Sequence, residues 1–168
     1  PRDARKRFGQ HFLERPWVEK VLRAIAPEAG QTFLEIGPGR GALTLPLAAH
    51  AERVVAFEID RDLARELRTA APDNLVVEEG DFLDVTPDRL RALLSALHVT
   101  SRAIRVAGNL PYNVASPILF KLVELHAAGI EFGSHTVSHP DLRSLGPEEI
   151  DYEICYSKET IEDRLGAP

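Results

Sequence analysis

The feature that most narrows what this chain can fold into is a repeated alternation of short apolar runs with segments at helical spacing. Residues 32–36, 53–57, 75–78, 103–107 and 130–132 are rich in Val, Ile, Leu and Phe and read as strands. Helices are expected over 16–26, in the stretch carrying Leu43, Leu45, Leu47 and Ala48, and over 62–70, 87–97, 117–127 and 147–165. Strands that alternate with helices bury both of their faces, so the expectation is an α/β domain over 1–168. Its sheet should be doubly wound and mainly parallel, with about five strands and helices on both faces.

Composition removes several classes. With 44% hydrophobic and 27% charged residues over 168 positions, the chain has the balance of a soluble globular protein, and no apolar run is long enough to suggest a membrane span. Residues 1–7 are basic, but Gln10, His11, Glu14 and Arg15 break up any apolar run after them, so export is not expected. A lone Cys155 cannot form an internal disulfide, which fits a cytoplasmic location. The net charge of -6 is unevenly placed: residues 126–168 hold nine acids against three bases, while residues 1–125 are balanced. This shift is a first sign of a seam near 126.

Three strand ends carry chemistry. Glu35-Ile36-Gly37-Pro38-Gly39-Arg40-Gly41 sits between a strand and a helix, where glycines let backbone amides approach a ligand; a tight structural turn is the alternative. Glu58 closes the second strand, where an acid can accept hydrogen bonds from ribose hydroxyls or simply cap a helix. Gly80-Asp81-Phe82 adds a carboxylate after the third strand, suited to the exocyclic amine of an adenine.

Together with Arg7-Phe8-Gly9-Gln10-His11-Phe12-Leu13 and Asn109-Leu110-Pro111-Tyr112, these residues succeed one another as they do in the ribosomal RNA adenine N6-dimethyltransferases, which residues 5–125 resemble. The resemblance implies a Rossmann-like fold and S-adenosylmethionine as cofactor, held by Gln10, Gly37, Gly39, Glu58, Asp81 and Asn109. It also implies a catalytic turn of Asn109, Leu110, Pro111 and Tyr112 facing the target adenine. An adenine amino group is a poor nucleophile, because its lone pair is delocalised into the ring. Acceptors such as the Asn109 side-chain oxygen and the Leu110 or Pro111 carbonyl would hold its hydrogens while the Tyr112 ring stacks on the flipped base. A polar turn capping a strand is the plainer reading of the same four residues.

Beyond about Leu125 that pattern stops. His135-Thr136-Val137-Ser138-His139-Pro140, with the preceding Gly-Ile-Glu-Phe-Gly-Ser, resembles the polysaccharide deacetylases. There the resemblance implies a divalent metal, usually zinc, held by His135 and His139 with an aspartate from an early strand that has no counterpart here. Two imidazoles leave a zinc site short of a third protein ligand. The expected organisation is therefore a chimera of a methyltransferase portion, 1–125, and a deacetylase-like portion, 126–168, joined between about Phe120 and Ala128. Such an organisation is compatible with three functions: a cofactor-binding methyltransferase core with impaired or absent RNA methylation, a metal-binding deacetylase fragment, or a folded hybrid without activity. RNA is the expected partner, bound weakly because the acidic tail opposes a polyanion. The sequence does not define an oligomeric state.

Overall fold

In a computed structural model the described residues are 15–99, 104–110, 112–126, 130–131 and 148. The chain divides into two compact units, Pro1–Glu131 and Phe132–Pro168. Of the second, only Glu148 is described, helical and exposed. The expected helix over 147–165 and Cys155 otherwise lie outside the described residues.

The first unit runs α1 (Arg15–Ile25), β1 (Thr32–Ile36), α2 (Thr44–Ala48), β2 (Arg53–Glu58), α3 (Arg61–Ala70) and β3 (Leu75–Glu79). It continues with a single 3-10 turn (Phe82–Asp84), α4 (Pro87–Ala96), β4 (Ile104–Ala107), α5 (Tyr112–Leu125) and β5 (Ile130–Glu131). Every pairing is parallel, and the strand order is β3-β2-β1-β4-β5. β1 is thus central, and all five of its residues are buried.

Side chains alternate across the sheet. Phe33, Val54, Ala56, Leu75 and Val77 join one buried cluster with Val18 of α1, Leu47 of α2 and Leu67 of α3. Buried Leu34, Ile36, Val55 and Phe57 point the other way, and α4 and α5 supply the further buried residues Leu90, Leu94, Ile118, Leu122 and Leu125. Polar caps fix the helix starts: Asp60 accepts from the Asp62 and Leu63 amides, and Thr86 accepts from that of Arg89, with Pro87 opening α4.

Two elements depart from the sequence reading. α5 begins at Tyr112 rather than at Pro117, so the proline lies inside the helix. Proline is a poor interior residue, and at the sixth position of this helix it removes the i-to-i−4 bond that an amide there would make. The 3-10 turn at Phe82–Asp84 has no counterpart in the sequence expectation; Asp81 caps it by accepting from the Leu83 amide at 2.9 Å, and the Phe82 ring meets Phe57 edge-on at 5.3 Å. No helix among the described residues is long and apolar enough to cross a membrane.

Candidate functional site

The C-terminal ends of β3, β2, β1 and β4 lie side by side in that order, and each carries one of the residues singled out from the sequence. Asp81 follows β3, Glu58 ends β2, the glycine turn follows β1, and Asn109 and Leu110 follow β4. At about 4.8 Å per strand spacing, this rim spans roughly 14 Å.

The glycine turn is built for close backbone approach. Gly37, Gly39 and Gly41 all take left-handed φ values, +69°, +58° and +78°, which residues with a Cβ rarely adopt. The Gly37 amide donates to the Phe57 carbonyl at 2.9 Å, and the Gly39 amide donates to Glu58 Oε2 at 2.8 Å, tying the turn to β2 twice. The second Glu58 oxygen, Oε1, accepts from the Asp60 amide at 2.8 Å. Glu58 is therefore not a solvated acid: it is 3% exposed, and both oxygens are engaged by backbone amides. Burial raises its pKa above the ordinary carboxylate value, opposed by the amides of Asp60 and Gly39. A carboxylate oxygen has a second lone pair, so Glu58 keeps the capacity to accept from a ligand hydroxyl.

The turn after β4 comes up against the turn after β1. A Cβ on Gly108 would stand 2.8 Å from the Ile36 carbonyl oxygen, so only glycine lets the two backbones approach this closely. The Leu110 side chain then reaches over the glycine turn, with its Cδ2 3.9 Å from where a Gly37 Cβ would be. Asn109 is exposed at this rim. Tyr112 opens α5. Gln10, Pro111, His135 and His139 lie outside the described residues. No group of three or more metal-ligating side chains occurs among the described residues.

Two residues of the site stand outside the sequence expectation. Glu35 is more than a letter of the glycine motif: it is 2% exposed on the central strand. Burial pushes its carboxyl up from 4.5 to about 7; the Thr44 hydroxyl opposes the shift and the Glu58 charge adds to it. Among the described residues neither Glu35 Oε2 nor Thr44 Oγ1 reaches hydrogen-bond geometry with a partner. A carboxyl so placed is available to a donor that a ligand brings in. Gly108 is the other. A sequence signal exists in both cases: an acid inside an otherwise apolar strand, and a glycine between a strand and a polar turn.

A parallel 3-2-1-4-5 sheet with a glycine turn after its central strand defines a Rossmann-like methyltransferase fold. A solved 23S rRNA methyltransferase, ErmE, superimposes on it with a TM-score of 0.58 and 28% identity, over 73% of this chain and 45% of that one.

The family model described as ribosomal RNA adenine dimethylase matches residues 2–134, and the chain belongs to that family. The ribosomal RNA small subunit methyltransferase A of Cupriavidus taiwanensis is 38% identical across 95% of this chain and 58% of that protein. Its counterpart in Paracidovorax citrulli is 47% identical across 76% and 47%. The chain thus spans about half the length of the curated relatives it matches. A second model, polysaccharide deacetylase, matches residues 117–168 and overlaps the first through the later part of α5 and β5.

Proposed function

We propose that this chain is the S-adenosylmethionine-binding core of an RNA adenine N6-methyltransferase. The observation that carries the reading is the order of groups along the rim: Asp81, then Glu58, then the glycine turn, then Asn109. In that order they suit an adenine amine, a ribose diol, an amino acid end and a methyl acceptor, within a length of roughly 14 Å that an extended nucleoside–amino acid conjugate matches. The residues fit such a ligand: Gly37 leaves open a space that a Cβ would enter, and the buried Oε2 of Glu35 has no partner among the described residues.

The cofactor supplies a methyl group made electrophilic by its sulfonium. The chain's own work is orientation. Glu58 and Asp81 accept from hydroxyl and amine groups, and the glycine turn lies beside the amino acid end. The Asn109 side-chain oxygen and the Leu110 and Pro111 carbonyls hold the hydrogens of an adenine amine, so that its lone pair points at the methyl carbon. Tyr112 stacks on that base. No side chain becomes covalently attached.

The test is calorimetric titration with S-adenosylhomocysteine. Saturable binding by the parent that is lost in Glu58→Ala supports the reading, and a folded parent that binds neither the cofactor nor its demethylated product overturns it.

A second reading concerns residues 126–168 and is favoured by the polysaccharide deacetylase match over 117–168. We propose that a deacetylase-like segment completes the chain from the end of α5 onward, making it a chimera with impaired RNA methylation. His135 and His139 alone do not fit a zinc centre, because a stable site needs at least a third protein ligand. The purified chain is therefore expected to retain less than one zinc per molecule by elemental analysis; stoichiometric zinc that is lost in His139→Ala would instead establish a metal site.

A further inference from the structure

Trp17 is the only tryptophan of the chain, and it is 52% exposed on α1. An indole ring left half in water has a cost, and its recorded ring contact is with a cation: the Lys20 ammonium lies 4.2 Å from its ring centroid. Arg15, one turn or less away on the same helix, is exposed and meets Glu19 at 3.5 Å. Residues 1–25 hold seven arginines and lysines against three acids, in a chain whose net charge is -6. Basic residues are thus concentrated in the first 25 positions of an otherwise acidic sequence.

α1 is fixed at one end. Its C-terminus is tied to the opposite edge of the sheet: Arg105, second residue of β4, donates to the Ile25 carbonyl at 2.7 Å and to Gln31 Oε1 at 3.0 Å. An 11-residue helix is about 16 Å long, close to the length of a five-residue strand, so a helix anchored there and running along the strands would reach their C-terminal edge. Val18, next to Trp17, is buried in the cluster that also holds Leu43, two residues past Gly41.

We propose that Trp17, with Lys20 and Arg15, is a docking platform for a single-stranded stretch of RNA beside the methylated adenosine. This inference rests on the RNA methyltransferase reading and assigns it a contact surface outside the cofactor rim. A base stacks on the exposed indole while the neighbouring phosphates meet the two cations, the combination that holds single strands without reading their sequence.

The lone tryptophan makes the test direct. A single-stranded RNA oligonucleotide containing adenosines is titrated into the full chain at about 50 mM and about 200 mM salt, the range over which phosphate contacts weaken. Trp17 emission is followed alongside the anisotropy of a labelled copy of the RNA. The expected result is quenching that saturates in step with the anisotropy and weakens with salt. Trp17→Ala should lower affinity about tenfold, while Trp17→Phe, which keeps a ring, retains most of it. RNA binding by anisotropy with unchanged emission, and equal affinity in Trp17→Ala, overturns the platform while leaving an RNA reading in place. Absence of RNA binding at the lower salt overturns the platform as well, and S-adenosylhomocysteine titration then decides the methyltransferase reading independently.

Discussion

The Gly39 amide donates to Glu58 Oε2 at 2.8 Å across nineteen residues of sequence, joining the turn after β1 to the end of β2. Because Oε1 accepts from the Asp60 amide at the same distance, the carboxylate faces two N–H donors at once. A glutamine offers one acceptor oxygen and one NH2 group, so one of those amides would meet a donor instead of an acceptor. Glu58→Gln is therefore expected to fail almost as badly as Glu58→Ala. Both should weaken S-adenosylhomocysteine binding more than about tenfold in calorimetry and lose about 1–3 kcal/mol in urea unfolding. Affinity within about twofold of the parent in Glu58→Gln would show that the paired acceptors are not what shapes the turn.

Glu35 predicts a pH dependence with a definite sign. Its folded pKa of about 7 lies above the ordinary 4.5, so between those values the folded chain keeps a proton that the unfolded chain has released. Stability from this group is full below about pH 4.5, falls as pH rises, and levels off above about pH 7. At roughly 1.4 kcal/mol per pKa unit, the fall is about 3 kcal/mol. Glu35→Gln cannot ionise, so its stability relative to the parent should climb from about pH 5 to about pH 8 in urea titrations. Parallel profiles for the two proteins would mean that Glu35 titrates normally.

Arg105 belongs to the other edge of the sheet and should affect stability alone. Its guanidinium donates to Gln31 and to the Ile25 carbonyl, and lies 5.1 Å from the Phe33 ring centroid. Arg105→Ala removes all three contacts and should cost about 1–3 kcal/mol by thermal or urea unfolding. Lysine lacks the planar fork and should recover little of this. S-adenosylhomocysteine affinity of the folded variant is expected to stay within a factor of about three. A larger loss would indicate that the two edges of the sheet are coupled.

Much of this is legible in the residues themselves, for a physical reason. Strand and helix periods differ, so the βα alternation and the sheet around Thr32–Ile36 can be read from the spacing of apolar side chains. The glycine turn and the acids after β2 and β3 can be read because their residue types are costly elsewhere. What escapes depends on neighbours distant in sequence. Pro117 signals a helix start by its own chemistry, whereas α5 begins five residues earlier, at Tyr112. The Phe82–Asp84 turn is fixed by the Asp81 cap and the Phe57 ring, a contact no local pattern encodes. Glu35 looks like a motif letter because its burial comes from β2, β4 and α2 closing around it, and nothing in a five-residue run reports that.

Gly108 tests whether the close approach of β4 to β1 shapes the rim. An added Cβ would fall 2.8 Å from the Ile36 carbonyl oxygen, and a strand backbone cannot swing aside as a flexible side chain can. Gly30, by contrast, has a left-handed φ of +92° but nothing within 4 Å of where its Cβ would be. Gly30→Ala should therefore carry backbone strain alone, about 1 kcal/mol, and Gly108→Ala an overpacking cost of about 1–3 kcal/mol. Urea unfolding of the two variants side by side separates these causes. If Gly108→Ala proves the cheaper of the two, the turn bearing Asn109 and Leu110 relaxes freely, and the spacing between it and the glycine turn is not set by contact with Ile36.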